Sequence, residues 1–336
     1  MDTSSDQFLV YRHMSLDETD RQCVAALQTQ PRATWRELGA LAGVPEKTLA
    51  RRIKRLIDLR LLRIVAELDP IVTGQGAVMH AWITCRIGTL TAVAEKIAML
   101  PHAQVVVSVA GKADVMAEFN LGGHADLATT VLKLLPSIDG VDHVESRLVL
   151  RAFRRAGQWR FRAASQEALQ IPASIQPNRL GDGERRIIAR LAMDGRATMR
   201  DLAETAGVSE PTAQRLLQGL TEDGLLSFRI EIEPALLGFP VEALVSIQAA
   251  PGATDTLAQD LARDPHTRCL FGTSGSSQLF WHVLCSDSLN LWELTTRRLG
   301  ETKGVINSEV GIVIKAHKRC GIYREGVVLE SGSPLP

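Results

Sequence analysis

Between Lys47 and Arg63 the sequence concentrates basic residues at a spacing that suits a row of phosphates. Seven of the residues from Lys47 to Arg63 are Lys or Arg, and only one, Asp58, is acidic. A helix here would carry apolar side chains on one face and basic ones on the other. The apolar face would hold Leu49, Ile53, Leu56 and Ile57, and the basic face Lys47, Arg51, Lys54 and Arg55. A solvated charged surface is the commoner explanation of such a run, so the elements around it decide its meaning.

Those elements predict a helix-turn-helix. The apolar residues of Leu16–Leu27 are spaced for a short helix, and Thr34-Trp35-Arg36-Glu37 is a capping box for a second one. Gly43-Val44 then forms a tight turn before a third helix that carries the basic run. That third helix is the one that enters the major groove. The apolar stretch 61–65 after it reads as a strand and favours a winged variant.

We therefore predict that the third helix binds duplex DNA. Thr48 and Arg51 lie near its start, where side chains reach base edges. The remaining basic residues would neutralise phosphates and release counterions. The predicted phosphate contacts are Lys47, Arg52, Lys54 and Arg55.

The chain contains this pattern twice, at an offset of 164 residues and without gaps. Of the 59 paired positions from Leu16–Gly74 against Leu180–Gly238, 21 are identical. They include Arg32-Ala33-Thr34 against Arg196-Ala197-Thr198. A period this long indicates a duplicated module rather than a solenoid repeat. The second copy has one basic residue, Arg215, in the stretch that matches the basic run, so we predict a degenerate second DNA-binding domain.

After each helical part the apolar pattern predicts β-α-β-β-α-β, the ferredoxin-like order. The fold class is therefore α+β. The predicted domains are 15–66 and 180–230 for the helix-turn-helix copies, 76–152 and 240–316 for the ferredoxin-like copies, and 161–179 for a linker.

The sequence resembles the Lrp/AsnC (feast/famine) regulators over nearly its whole length, taken twice. The resemblance rests on Leu16-Asp17 with Asp20, on the run Arg51-Arg52-Ile53-Lys54-Arg55-Leu56, and on Asp69-Pro70 before Gly74. The second copy departs from it, with Leu216 and Gly219 in place of Arg52 and Arg55. The resemblance implies a DNA-binding regulator whose β-domains sense a small molecule, plausibly an amino acid, and pair sheet to sheet. An internal pseudo-dimer follows, and because only one helix is strongly basic, we expect at least a dimer of chains.

In that family the effector binds beside a Gly-x-x-Asp turn, which the resemblance places at Gly111 and Asp114. Turn amides suit a carboxylate and an aspartate suits an ammonium group. The second copy has Gly275 and Gln278 there, without the acid. An ordinary hairpin turn explains the same four residues equally well.

Composition limits the classes of protein to which the chain could belong. Net charge is zero and hydrophobic residues make up 45% of the chain, as in a globular protein. The sequence shows no signal peptide or membrane span, and its five cysteines suggest free thiols in a reducing cytoplasm. No metal, cofactor or catalytic constellation is indicated. Two rivals stay open: a sirohaem-type tetrapyrrole decarboxylase, since some proteins of this architecture are such enzymes, and a pure oligomerisation partner.

Overall fold

The computed structural model describes residues 16–68, 76–162 and 180–330, which form two compact units. The helical unit takes its residues from 15–76, 172–233 and 327–336. The barrel unit takes its residues from 77–171 and 234–326. Of the predicted linker, 163–179 lies outside the described residues, as do Asp69, Pro70 and Gly74.

Each copy contributes three helices and a strand to the helical unit. They are α1 (Glu18–Thr29), α2 (Trp35–Ala42), α3 (Glu46–Asp58) and β1 (Leu62–Leu68), and then α6 (Asp182–Met193), α7 (Met199–Ala206), α8 (Glu210–Glu222) and β6 (Leu226–Ile232). The predicted capping box is present, because the Thr34 hydroxyl accepts from the Glu37 amide and the Glu37 carboxylate accepts from the Thr34 amide. Gly43 and Gly207 end the second helices with φ of +66° and +70°, a conformation that favours glycine.

The strand after each third helix does not form a wing. β1 pairs antiparallel with β6 of the other copy over all seven of its residues, and the described residues offer it no partner from its own copy. The winged expectation is therefore wrong. In this ribbon Val65 pairs with Arg229, which is its own equivalent 164 residues later. A pseudo-two-fold axis thus passes through that pair.

Two arginines strengthen the same contact reciprocally. The guanidinium of Arg32 donates to the carbonyls of Gly195 and Ala197 at 2.6 and 3.1 Å. Arg196 donates to the carbonyls of Pro31 and Ala33, both at 2.8 Å. Each also lies over an aromatic ring of the other copy, Arg32 over Phe228 and Arg196 over Trp35. The identical Arg-Ala-Thr runs therefore form the junction of the two copies.

The barrel unit contains the two β-α-β-β-α-β modules. The first consists of β2 (Ala77–Cys85), α4 (Leu90–Ala98), β3 (Ala103–Ala110), β4 (Val115–Leu121), α5 (His124–Thr129) and β5 (Val141–Arg154). The second consists of β7 (Val241–Ala249), α9 (Thr254–Arg263), β8 (Thr267–Thr273), β9 (Leu279–Cys285), α10 (Ser288–Glu293) and β10 (Val305–Arg319), with a short β11 (Ile322–Glu325) after it. A π-helical turn continues α5 (Thr130–Leu134) and α10 (Leu294–Arg298). A further short strand, β12 (Val328–Leu329), belongs to the helical unit.

The eight long strands close into one barrel. Their order is β10-β3-β4-β2-β5-β8-β9-β7, and β7 pairs again with β10. The two modules are joined edge to edge, with Val313 opposite Val109 at one seam and the equivalent Val149 opposite Thr273 at the other. The expected internal pairing of the two copies is present, but as a closed barrel and not as one sheet face laid on another.

Each module packs its helices on the outer face of its own strands. In the first module alternate residues of β2, namely Met79, Ala81 and Ile83, meet Val93 and Ile97 of α4 in a fully buried cluster. The second module has an equivalent cluster around Trp281. The opposite faces of the strands point into the barrel and carry many polar side chains, including His80, Trp82 and Thr84.

Candidate nucleic-acid interface and effector site

Helix α3 holds its apolar face inward and presents cations outward. Leu49, Ile53 and Leu56 are buried, whereas Ile57, which was expected on the same apolar face, is 39% exposed. Lys47, Arg51 and Lys54 are exposed. Within the part of the chain that the structure describes, these three cations make no ion pair. Thr48, the other predicted base contact, is half-buried at the start of the helix. The outer face can therefore meet phosphates without breaking internal contacts.

Arg52 differs from the expectation of a phosphate contact. Its Nη1 donates to Asp17 Oδ2 at 2.6 Å and to Asp20 Oδ1 at 2.8 Å, and its side chain is 22% exposed. Arg55 also pairs with Asp20, at 2.6 Å, but is 54% exposed. The pKa of Asp17 is lowered, first by the Asp20 amide and then by Arg52. Arg52 fastens α3 to α1, and Arg55 does so while staying accessible.

The third helix of the second copy, α8, buries the positions equivalent to the buried positions of α3 but carries fewer charges. Ser209 caps it by accepting from the Thr212 amide, and Arg215 is exposed and unpaired among the described residues. Leu216, in place of Arg52, packs against the core of its own three helices. The internal ion pair of the first copy is thus replaced by apolar packing, while Gln214 stays exposed on the outer face.

The two predicted effector turns use their polar side chains internally. Asp114 Oδ2 accepts from the Cys85 amide at 2.7 Å. Gln278 Oε1 accepts from the Ala249 amide at 2.9 Å, which is the equivalent bond in the second copy. Because the same bond is made by an acid and by an amide, it fixes the turn. Direct contact of Asp114 with an effector stays a prediction, as do contacts at Gly111, Gly275 and Gln278.

A cavity of about 120 Å³ lies beside the first of these turns, within the barrel unit. It combines residues of both signs of charge with a few apolar ones. Its lining comprises Trp82, Thr84, Val109, Lys112, Ala113, His143, Glu145 and Arg147 of the first copy, and Leu244, Ser246, Glu309 and Gly311 of the second. Lys112 and Ala113 come from the predicted turn itself. The other lining residues come together only through barrel closure, so spacing in the sequence gives no signal for them.

A second polar cluster in the barrel was also invisible in the sequence. Glu242 is buried and receives two hydrogen bonds from Arg319, at 2.7 and 2.8 Å, and lies 2.9 Å from His282 Nε2. Burial raises the pKa of Glu242, but Arg319, His282 and Arg268 outweigh it and hold the pKa well below its usual range. Burial lowers the pKa of His282 to about 4. With its charges paired, this cluster is a structural element of the barrel.

The described residues contain neither a metal-binding cluster nor a membrane-spanning helix. Within residues 16–68, 76–162 and 180–330 no group of three or more His, Cys, Asp or Glu side chains is placed to hold a metal ion. In the same ranges no helix is both long and apolar enough to cross a bilayer.

The AsnC-type helix-turn-helix domain matches residues 16–57, and the Lrp/AsnC ligand-binding domain matches twice, at 79–159 and 242–322. The chain belongs to the Lrp/AsnC family. Residues 186–229, which cover α7 and α8, match the IclR helix-turn-helix domain. The ligand-binding domain of the family is thus present twice in this Lrp/AsnC protein, while its second helical part matches a different model.

Curated relatives align with about one copy. An uncharacterized HTH-type transcriptional regulator of Pyrococcus abyssi is 29% identical over 139 residues, 41% of this chain and 88% of that protein. The HTH-type transcriptional regulator AldR of Mycobacterium tuberculosis is 23% identical over 145 residues, 42% of this chain and 81% of that protein. The chain is an Lrp/AsnC-type transcriptional regulator.

One solved structure aligns with both copies of this chain. The siroheme decarboxylase NirDL has a TM-score of 0.62 to this chain at 14% identity, and the match covers 92% of this chain and 96% of that one. At this identity the likeness shows a shared fold. The tandem architecture is therefore common to this regulator and to an enzyme.

Proposed function

We propose that this Lrp/AsnC protein is a non-enzymatic regulator that binds duplex DNA chiefly through α3 and responds to a small molecule, an amino acid, in its barrel. The observation that carries the proposal is the outer face of α3, where Lys47, Arg51 and Lys54 are exposed and unpaired within the described ranges. Three accessible cations on one helix face suit phosphates of a duplex. Thr48 and Arg51 stand near the start of the helix, where they reach base edges.

The second three-helix domain takes part as a weaker reader. The pseudo-two-fold ribbon gives each chain two third helices in equivalent frames, which is the arrangement that dimeric helix-turn-helix proteins use on two half-sites. Helix α8 supplies Ser209, Thr212 and Gln214 for hydrogen bonds and Arg215 as an exposed cation. We therefore expect each chain to bind one site on the operator mainly through charge and a neighbouring site mainly through neutral polar contacts.

The experiment starts from genomic fragments that the purified protein retains, whose sequences define an operator. Affinity is then measured by fluorescence anisotropy at several salt concentrations. Each phosphate contact contributes a slope of about −0.9 in log affinity against log salt. Arg51→Ala with Lys54→Ala should flatten the slope by up to about two units, and Arg215→Ala by at most about one.

The matched control removes two exposed cations from the barrel unit, Arg297→Ala with Lys303→Ala. It should leave the slope unchanged. An equal loss in the control and in the α3 variant would contradict specific binding by α3. A footprint centred on α8 would reverse the assignment of the two copies.

The non-enzymatic assignment has its own test. The pure protein is incubated with an iron tetrapyrrole that carries carboxylate side chains, and the product mass is measured. We expect no loss of CO₂ and no spectral shift. Decarboxylation at catalytic turnover would establish the enzyme in place of the regulator.

A further inference from the structure

The second helices of the two copies carry an exposed arginine at equivalent positions, and only one of the two arginines is paired. Helix α2 has Arg36, and helix α7 has Arg200 one repeat later. Arg36 makes no ion pair within the described part of the chain. Arg200 donates through Nε to Glu204 Oε1 at 3.0 Å. The difference arises four residues further on, where the first copy has Ala40 and the second has Glu204.

The backbone around the two arginines is the same in both copies. Each helix begins with a capping box. At the other end the amide of Val44 donates to the carbonyl of Gly39 at 2.9 Å, and that of Val208 to the carbonyl of Ala203 at 3.0 Å. These bonds fix each second helix to the turn before the third helix. The two copies therefore differ here in charge and not in backbone arrangement.

The position of Arg36 suits a contact with the DNA backbone. It is the second residue of α2 (Trp35–Ala42), the helix that precedes the DNA-reading helix α3. In helix-turn-helix proteins this preceding helix crosses the phosphate backbone while the next one enters the major groove. A guanidinium donates two parallel hydrogen bonds to a phosphate, and an exposed, unpaired one can do so without breaking an internal bond.

Glu204 opposes the same contact in the second copy. The side chains of Arg200 and Glu204 are 78% and 66% exposed, so their pair contributes little to stability. The pair has no net charge, and its carboxylate would repel a phosphate nearby. Gln218 of α8 is held in a similar way, because its Nε2 donates to Glu222 Oε1 at 2.7 Å. Its counterpart Lys54 is unpaired among the described residues.

We propose that Arg36 binds a backbone phosphate of the operator and that Glu204 withholds Arg200 from the equivalent contact. The residue four positions after the arginine then decides how strongly the second helix of each copy holds DNA. Phosphate contacts fix the orientation of a protein on the duplex, so this residue also favours α3 over α8 as the main reader. The proposal deepens the proposed function and rests on it, since it requires that the helical unit binds duplex DNA.

Two variants of the first copy should lose a phosphate contact. The affinity of the full chain for the operator is measured by fluorescence anisotropy at several salt concentrations. Arg36→Ala should flatten the slope of log affinity against log salt by about one unit for each bound chain. Ala40→Glu keeps the arginine but introduces the acid of the second copy. It should flatten the slope by a similar amount.

The second copy allows the opposite test, a gain of affinity. Glu204→Ala should steepen the slope by up to about one unit for each bound chain, because Arg200 becomes available to a phosphate. Glu204→Ala with Arg200→Ala should return the slope to that of the unchanged protein. A domain damaged by a substitution loses affinity, so the expected gain cannot come from a folding defect.

The matched controls make the same kinds of change at exposed positions of the barrel unit. Arg297→Ala removes a cation, and Ala92→Glu adds an acid to a helix. Asp139→Ala removes the acid of the exposed pair with Arg86. None of the three should change the slope.

The outcomes separate this proposal from the proposed regulator. An effect of Arg36→Ala no larger than that of Arg297→Ala, or an unchanged slope in Glu204→Ala, would overturn the proposal. If Arg51→Ala with Lys54→Ala still flattens the slope in that case, α3 binds DNA and only the assignment of Arg36 and Glu204 is wrong. If the protein retains no operator at all, the proposed function is wrong and this proposal falls with it.

Discussion

Arg52 and Lys54, two positions apart on α3, have different tasks despite belonging to one basic run. Arg52 bonds to Asp17 and Asp20, while Lys54 is exposed and has no partner within the described residues. The side chain of Asp20 is only 2% exposed, so its charge needs compensation from this cation. The second copy dispenses with the pair by placing Leu216 at the equivalent position.

Arg52→Ala should therefore lower the free energy of unfolding by about 2 kcal/mol, because hydrogen bonds to charged groups are lost and Arg55 alone remains on Asp20. Lys54→Ala should leave stability within about 0.5 kcal/mol of the unchanged protein. Chemical denaturation followed by circular dichroism measures both. The opposite order of the two effects would show that Arg52 does not fasten α3 to α1.

His282, whose side chain is 14% exposed, and the buried His317 make the stability of the barrel depend on pH. Burial lowers the pKa of His282 and of His317 to about 4. In the unfolded chain their pKa returns to about 6.5, so between these values the unfolded state binds more protons. The contribution of the two neutral histidines to stability is therefore fully present above about pH 6.5, and it is lost as the pH is lowered towards 4.

We expect each histidine to cost about 2 kcal/mol of stability between pH 6.5 and 5. Urea unfolding at several pH values over this range measures the loss. His317→Gln removes one of the two titrations and should reduce the pH dependence by about half, after allowance for the lost bond to Ser108 at 2.8 Å. An unchanged pH dependence in that variant would show that other groups control it.

At the scale of elements, the sequence predicts what lies within a copy better than what joins the copies. The apolar pattern of the sequence predicts strands over Gln104–Ala110 and Leu279–Leu284, and the structure has them at Ala103–Ala110 and Leu279–Cys285. Alternation of apolar residues carries that information because one face of each strand packs on helices. The last strand of each copy, predicted over Val141–Leu150 and Val305–Ile314, extends to Arg154 and Arg319, because its end pairs with the other copy. Backbone pairing between edges leaves no periodic signal.

In the candidate sites, too, the features that arise within one helix are predicted from the sequence, and those that depend on distant residues are not. The frame of α3 and its outer cations follow from helical periodicity, and the structure places Lys47, Arg51 and Lys54 as that periodicity indicates. The inward turn of Arg52 depends on Asp17 and Asp20, more than 30 positions earlier, and was not predicted. Likewise, Glu309 and Gly311 reach the cavity only because β10 pairs with β3.

The reciprocal arginines join the two helical copies and can be tested as a pair. Burial lowers the pKa of Arg32 and of Arg196, and Arg32 is the second cause of the shift at Arg196, so the two cations lie close together. Arg32→Ala or Arg196→Ala should each cost about 2 kcal/mol of stability from the lost hydrogen bonds. Each single change also relieves repulsion, so the double variant should cost somewhat more than the sum.

The unchanged protein, the two single variants and the double variant form a double-mutant cycle. Thermal and denaturant unfolding of these four proteins gives the coupling free energy between Arg32 and Arg196. Arg200→Ala, at an exposed pair with Glu204, is the control and should leave stability essentially unchanged. A cost no larger than this control at Arg32 and Arg196 would mean that the β1–β6 ribbon alone holds the copies together.

At the scale of the molecule, the duplication gives one chain both halves of a two-fold assembly. We still expect two chains on an operator, because α3 is strongly basic and α8 is not, and a two-fold operator needs two strong readers. Light scattering in the presence of the operator should give, after the mass of the DNA is subtracted, a protein mass of at least twice the 36.6 kDa of one chain. A complex with a single chain would show that α8 suffices for the second half-site.

Barrel closure implies that the two copies fold as partners. Separated, residues 1–162 would leave the edges of β3 and β5 unpaired, and residues 180–336 would leave those of β8 and β10 unpaired. Exposed strand edges of this length recruit other strands.

The two pieces, produced together as separate chains, should therefore purify as a 1:1 complex. Each piece produced alone should self-associate or aggregate. Size-exclusion chromatography with light scattering distinguishes these states. Stable monomers of either piece would mean that each module is complete without its partner, and that the barrel seams contribute little to folding.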